Sequence, residues 1–219
     1  MIEKVHHGRT VYLREGTLDE DQFNMSVTDQ YHHPRKPIPN NPTILDLGSF
    51  NGHTAVDFAM TYPGSRIIAY EMDIENHEMG VMNTQGLESQ ITLVHAGIWY
   101  ASGQRSYREL GTRNDGYHLN DRVDLSEGNR TVDVFTMAEV FEVHNLTWVD
   151  YIKMDIEGAE QQIFESNLDW LDNVGQINIE VHGDHAKEAV IAGLQRKGWA
   201  TTVDTKHWAA VMGYPQNNK

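Results

Sequence analysis

The sequence predicts an α/β fold in which a mostly parallel sheet carries helices on both faces and ends in a C-terminal antiparallel hairpin strand. Three observations predict it. From Thr43 onward, short apolar runs alternate with helix-length stretches, the pattern of βαβ units. The first run, Thr43–Leu47, opens into a turn marked by Asp46, Gly48 and Gly52, a strand-to-helix passage that only small residues can make. The last two runs, Trp199–Val203 and His207–Met212, are joined by a tight turn at Asp204–Lys206, which sets an antiparallel strand into the sheet.

The elements follow in order. Residues 1–40 are polar and read as an N-terminal arm or cap, with a short strand at Val11–Leu13, a helix over Asp19–Gln30 capped by Thr17 or Asp19, and a proline-broken linker at His32–Pro42. Residues 41–219 form the main domain. After the first strand come a helix at Thr54–Met60, a strand at Arg66–Tyr70 that stops at Glu71, a helix from Asp73 to Thr84 and a strand at Gln90–His95. Residues 101–129 break the alternation. They are rich in Gly, Asn, Asp and Arg, too long for an ordinary connection, and read as a substrate-facing insertion or a small antiparallel excursion. Arg105, Arg108, Arg113 and Arg122 gather basic charge there that could hold a substrate carboxylate or phosphate, although each alone reads equally as a solvated charge. Val132–Phe135 leads into a helix at Met137–Val143, Tyr151–Met154 is a central strand, Gln176–Val181 its neighbour, and Asp184–Lys197 a helix stopped by Gly198.

Composition bounds the partners. With 32 acidic residues against 17 basic ones the formal charge is −15, a field that disfavours DNA, RNA and acidic membranes and suits a small or neutral substrate. No apolar run approaches the roughly 18 residues of a membrane span, and the start MIEKVHHGRT lacks the apolar core of a signal peptide. A soluble, cytoplasmic protein is expected. The sequence contains no cysteine, so disulfides, thiolate metal sites and cysteine nucleophiles are excluded. Oligomeric state is left open.

The glycine turn favours a particular ligand class. A dinucleotide turn needs GxGxxG so that a pyrophosphate can approach the backbone. Here the spacing is GxxxG, Gly48 to Gly52, with Phe50 where a phosphate would need room, no Lys or Arg in the turn, and Asp46 at the strand end. That set repels a pyrophosphate but suits a ligand carrying an ammonium and a sulfonium, such as S-adenosylmethionine; an ordinary βα turn using glycine for geometry alone is the other reading. Glu71 lies 19 residues past Gly52, placed to accept hydrogen bonds from two ribose hydroxyls. Gly97 and Ile98 follow the third strand, where an adenine edge would lie.

The second informative stretch is VDYIKMDIEGAEQQIFE. Tyr151, Lys153 and Asp155 share one face of the strand and Ile152, Met154 and Ile156 the other. A lysine inside a central strand needs a carboxylate, and Glu180, on the polar face of the next strand with Asn178 and His182, is the expected partner.

These two stretches carry a resemblance. ILDLGSFNGHTA resembles motif I of the class I S-adenosylmethionine-dependent methyltransferases, and VDYIKMDIEGAEQQIFE resembles the signature of the FkbM family within them, with VYLREGTLDEDQF and Tyr31 similar to that family's lead-in. The resemblance implies a seven-stranded Rossmann-like sheet, S-adenosylmethionine as cofactor, and methyl transfer to a hydroxyl of a sugar, polyketide or other small natural product. It implies cofactor contacts at Asp46, Gly48, Ser49, Phe50, Gly52, Glu71, Met72, Gly97 and Asp155, with Glu157 and Glu160 in the signature. KMDIEG stands where amino-methylating enzymes carry an NPPY-like box, which argues against a nucleobase or amide nitrogen as acceptor.

Two devices could remove the hydroxyl proton. His182 could act as general base with Glu180 or Asp155 orienting its ring; alternatively Asp155, Glu157 and Glu180, helped by His182, could hold a divalent cation, with oxygen ligands favouring Mg²⁺. HGDH at His182–His185 is explained by a strand-to-helix turn without a metal, His53 reads as a first-turn helix residue, and His6, His7, His32 and His33 as surface residues. A non-catalytic S-adenosylmethionine-binding module that regulates a partner and a nicotinamide oxidoreductase are the competing functions.

Overall fold

The computed structural model describes residues 1–108, 116–119, 126, 129–205, 207 and 209–216. Arg113, Arg122 and Lys206 lie outside the described residues.

The chain opens with a hairpin, β1 (Ile2–His6) and β2 (Arg9–Leu13), that the polar N-terminal sequence does not announce. Its two-residue turn places His7 and Gly8 at φ +47° and +80°, the mirror-image geometry that matches strand twist, with His7 where Asn is usual. The expected helix at Asp19–Gln30 is shorter: α1 (Asp19–Phe23) passes into a π-helical turn at Asn24–Thr28. Asp19 does not cap it. Its carboxylate instead takes Arg14, whose Nη2 is 2.9 Å away, while the Thr17 hydroxyl accepts from the Asp19 amide at 3.3 Å.

Seven strands form the main sheet. They are β3 (Thr43–Leu47), β4 (Arg66–Glu71), β5 (Ile91–His95), β9 (Tyr151–Met154), β10 (Ile177–Glu180), β11 (Trp199–Val203) and β12 (Ala210–Pro215). Their order across the sheet is β11-β12-β10-β9-β3-β4-β5. All pairings are parallel except those of β12, which runs antiparallel to both β10 and β11, as the tight C-terminal hairpin predicts. That strand starts three residues later than expected, because the Ala210 amide donates back to the His207 carbonyl at 2.9 Å and closes a turn. His207 is thereby left out of the ladder. Between β5 and β9 a second sheet forms from β6 (Gly97–Ile98), β7 (Gly103–Arg108) and β8 (Asn129–Phe135), with β7 and β8 antiparallel.

Burial alternates along the strands with a period of two, and each face has its own core. Leu45, Leu47, Ile68, Tyr70, Ile152 and Met154 pack with α4 (Met137–Val143), α5 (Glu160–Glu165) and α6 (Asp184–Arg196). Ile44, Ile67, Ala69 and Tyr151 pack on the other face with α2 (His53–Thr61). A parallel sheet covered on both faces needs this near-continuous apolar patterning. The N-terminal segment completes the second core through Val11, Leu13, Phe23 and Val27. It is tied down by Asp57 of α2, a buried carboxylate that accepts from His6 Nε2 at 2.6 Å and from His33 Nε2. Among the described residues no helix is long and apolar enough to cross a membrane.

Candidate active site

The carboxyl ends of β3, β4 and β9 open onto one cleft, as the crevice rule for parallel sheets requires. It encloses about 740 Å³ including its open mouth, and among its walls are Gly48, Phe50, Glu71, Met72, Gly97, Asp155, Glu157 and Glu180. Those eight residues, drawn from five loops, are the sequence-predicted ones that the fold gathers.

Each is placed by a local reason. Gly48 sits at φ +79°, and a Cβ there would lie 1.7 Å from the Asp155 carbonyl oxygen, so the turn after β3 passes against the end of β9 only because the side chain is missing. Phe50, at φ +52°, turns its amide toward Glu71 Oε2 at 2.8 Å, and the Asp73 amide reaches Glu71 Oε1 at 2.8 Å. Asp73 in turn caps α3 (Ile74–Thr84), accepting from the Glu75 and Asn76 amides at 3.0 Å each. Burial pushes the Glu71 carboxyl up to about 7, against the two amide donors.

Three predicted cofactor residues stand behind the wall. Asp46 is fully buried and faces Lys153, Ser49 is buried with its hydroxyl unpartnered among the described residues, and Gly52 caps α2 against Gly80.

Lys153 corrects an expectation. It pairs with Asp46 on β3 at 3.4 Å and Asp155 at 3.8 Å, and donates to the Gly48 carbonyl, rather than pairing with Glu180. The register explains this: Lys153 lies opposite Asp46 across β3 and β9. Burial lowers the pKa of the ammonium, but Asp46, Asp155 and Glu180 outweigh it and hold the group charged. Asp46 is raised by burial even with the ammonium beside it.

Beyond the cleft wall the side chains converge around Asp155. His182 Nδ1 donates to Glu160 Oε1 at 2.8 Å, and its Nε2 lies 3.2 Å from Glu157 and 3.9 Å from Asp155. Burial opposes a charge on this ring, yet Glu160, Glu157 and Asp155 together push its pKa up to about 10. At neutral pH His182 is an imidazolium and a hydrogen-bond donor. Burial, aided by Asp155, pushes Glu180 up to about 8. His185 is exposed on the far side, near Glu188, so HGDH is a turn.

Two residues were missed in the sequence. His32 and His33, expected at the surface, are buried. His32 Nε2 points at Asp155 Oδ2 from 4.0 Å, and burial followed by Lys153 holds its ring well below the usual histidine range. His207 Nε2 lies 3.6 Å from Glu180, its ring against Tyr31. Neither had a signal beyond the histidine itself, since contacts between residue 32, the end of β9 and the 204–210 turn are set by tertiary packing. His6 is half-buried and His7 exposed, and His53 opens α2 as expected. In the insertion, Tyr117 and Leu119 line the cleft, whereas Arg105 and Arg108 do not.

The methyltransferase FkbM domain family matches residues 88–216, from the end of α3 to the last strand. The chain belongs to the FkbM methyltransferase family. Methyltransferase 1 of Beauveria bassiana (strain ARSEF 2860) is 25% identical to this FkbM-family chain over 198 residues, covering 79% of it and 78% of that protein. The crystal structure of a methyltransferase FkbM from Methylobacillus flagellatus KT superposes with a TM-score of 0.57 at 13% identity, over 93% of this chain. This chain spans 56% of that longer one. Aeropyrum pernix fibrillarin, solved with natively bound S-adenosyl-L-methionine, gives 0.51 at 13% identity over 87% of this chain and 73% of its own. At such identities the likeness is one of fold, and it is the seven-stranded Rossmann-like sheet that the resemblance implied.

Proposed function

We propose that this FkbM-family chain is an S-adenosylmethionine-dependent O-methyltransferase acting on a hydroxyl of a small molecule or sugar. The observation that carries the reading is the charge inventory of the cleft. Among the described residues its walls hold four carboxylates, Glu71, Asp155, Glu157 and Glu180, and no lysine or arginine, which suits a cationic, phosphate-free nucleoside and disfavours a dinucleotide. The cofactor supplies an electrophilic methyl carbon on its sulfonium. Glu71, fixed by two backbone amides, is the acceptor for ribose hydroxyls, and Gly97 and Ile98 offer an apolar edge for the base.

The remaining task is to orient an alcohol and take its proton. His182, held as an imidazolium, cannot take it, so we assign the proton to Asp155, whose Oδ1 is buried without a hydrogen-bond partner among the described residues; His182 and Lys153 fix that carboxylate from either side. The acidic surplus of the chain supports a small neutral acceptor over a polyanion.

Calorimetry with S-adenosylmethionine and NADH, followed by transfer of labelled methyl to a panel of alcohols and amines, tests the reading. Labelled ethers formed by the wild type and lost in Asp155→Ala support it. Labelled amines, comparable NADH binding, or tight cofactor binding with no transfer to any acceptor would each overturn it, the last in favour of a regulatory binding module.

A further inference from the structure

We propose that His32, Asp155 and Glu180 form a binding site for one divalent transition-metal cation. Ligand atoms from these three side chains lie within 4.8 Å of one another, and His32 Nε2 and Asp155 Oδ2 are 4.0 Å apart. That gap is too wide for a hydrogen bond but falls in the range of about 3 to 4 Å between two ligands of one ion bound at roughly 2.1 Å.

The second observation is the state of His32 itself. The residue is 6% exposed, and among the described residues its ring makes no hydrogen bond; Asp155 is its nearest charged neighbour. The backbone that carries it is fixed from below, since the Tyr151 hydroxyl donates to the His32 carbonyl and Asn178 Nδ2 donates to the Tyr31 carbonyl at 3.0 Å. A buried imidazole held rigidly toward a carboxylate that it does not reach is the arrangement of an unfilled ligand set.

Charge points the same way. The linked ion pairs contain Asp46, Asp155, Glu157 and Glu160 against Lys153 and His182, and Glu180 adds a fifth carboxylate. A second set, Asp155, Glu157 and His182, is equally compact. It is the poorer site, because both nitrogens of His182 are already engaged, Nδ1 by Glu160 at 2.8 Å and Nε2 by Glu157 at 3.2 Å. The all-oxygen set expected for Mg²⁺ is also set aside: an imidazole nitrogen with two carboxylates suits Mn²⁺, Co²⁺ or Zn²⁺ better. The placement of an acceptor hydroxyl beside such an ion rests on the methyl-transfer reading, but metal binding does not.

Mn²⁺ added to chelator-stripped full chain tests the site. We expect one ion per chain by calorimetry, and an electron spin-echo signal from one coordinated imidazole nitrogen. His32→Gln and Glu180→Gln should each weaken binding by about tenfold or more while His182→Gln leaves it within about threefold. Absence of Mn²⁺ binding by the wild type, a nitrogen signal that survives His32→Gln, or loss of binding in His182→Gln alone would overturn the assignment. Circular dichroism confirms that the variants fold, and the spin-echo signal of whatever ion remains bound reads His32 directly. Titration with S-adenosylmethionine on the same stripped protein separates the two proposals: metal bound without that ligand supports the metal site and sinks only the methyl-transfer reading.

Discussion

The Cβ that Gly48 lacks would sit 1.7 Å from the carbonyl oxygen of Asp155. One absent methyl group therefore lets the first turn of the sheet touch the end of its neighbouring strand, and both residues line the cleft. Gly48→Ala must push the two backbones apart and also hold alanine at φ +79°. We expect a loss of about 3 kcal/mol in stability, from overpacking plus left-handed strain. Urea denaturation checks it, and an unchanged midpoint would show that the turn does not approach Asp155.

Lys153 and Asp46 are both buried and lie opposite each other in the register of β3 and β9. Lys153→Met removes the only ammonium facing Asp46 among the described residues and should cost about 3 to 5 kcal/mol. Adding Asp46→Asn should return a large part of that, because no uncompensated charge remains. A double-mutant cycle measures the coupling; simple additivity would mean that Lys153 acts mainly through Asp155.

How much of this was legible in the sequence differs by layer. Strand and helix positions from Thr43 onward follow from periodicity and turn chemistry because the sheet is buried on both faces, so a one-residue slip would move a whole apolar set. Thr43–Leu47, Met137–Val143, Tyr151–Met154 and Trp199–Val203 match their expected bounds. The N-terminal hairpin was not legible: its strands are short and half-exposed, and His7–Gly8 is a weak form of the Asn-Gly signal. At the site, residues that follow a strand end, Gly48, Glu71 and Asp155, could be placed by counting along the chain. The partner of Lys153 could not, since it depends on which strand lies beside β9, and the histidines that arrive from residue 32 and residue 207 depend on how distant loops fold over the sheet.

Glu71 gives a pH signature to ligand binding. Its carboxyl, pushed up to about 7 by burial, must be ionised to accept two hydroxyl hydrogen bonds. On the cofactor reading, affinity for S-adenosylmethionine should tighten as pH rises from 6 to 8, by at most about tenfold per unit below 7, and then level off. Glu71→Gln should bind about 10- to 100-fold more weakly, the worth of hydrogen bonds to a charged acceptor, and lose the pH dependence. Calorimetry across that range checks both, and a pH-independent wild type would remove Glu71 from the ligand.

His182 makes the apo protein sensitive to alkali. Its folded pKa of about 10 lies above the ordinary value of 6.5, so the stability it contributes is fully present below 6.5 and is lost as pH rises through 10. Glu180 has the same sign. With a folded pKa of about 8 against 4.5, it binds its proton more tightly in the folded state, and that contribution too is lost as pH rises through 8. The melting temperature of the ligand-free chain should therefore fall steadily between pH 6.5 and 10. His182→Gln has no proton to lose, so its melting curve should be lower near pH 7 and flatter above it, converging on the wild type near pH 10. Parallel curves for the two proteins across that range would mean that the imidazolium does not hold Glu157, Glu160 and Asp155 together.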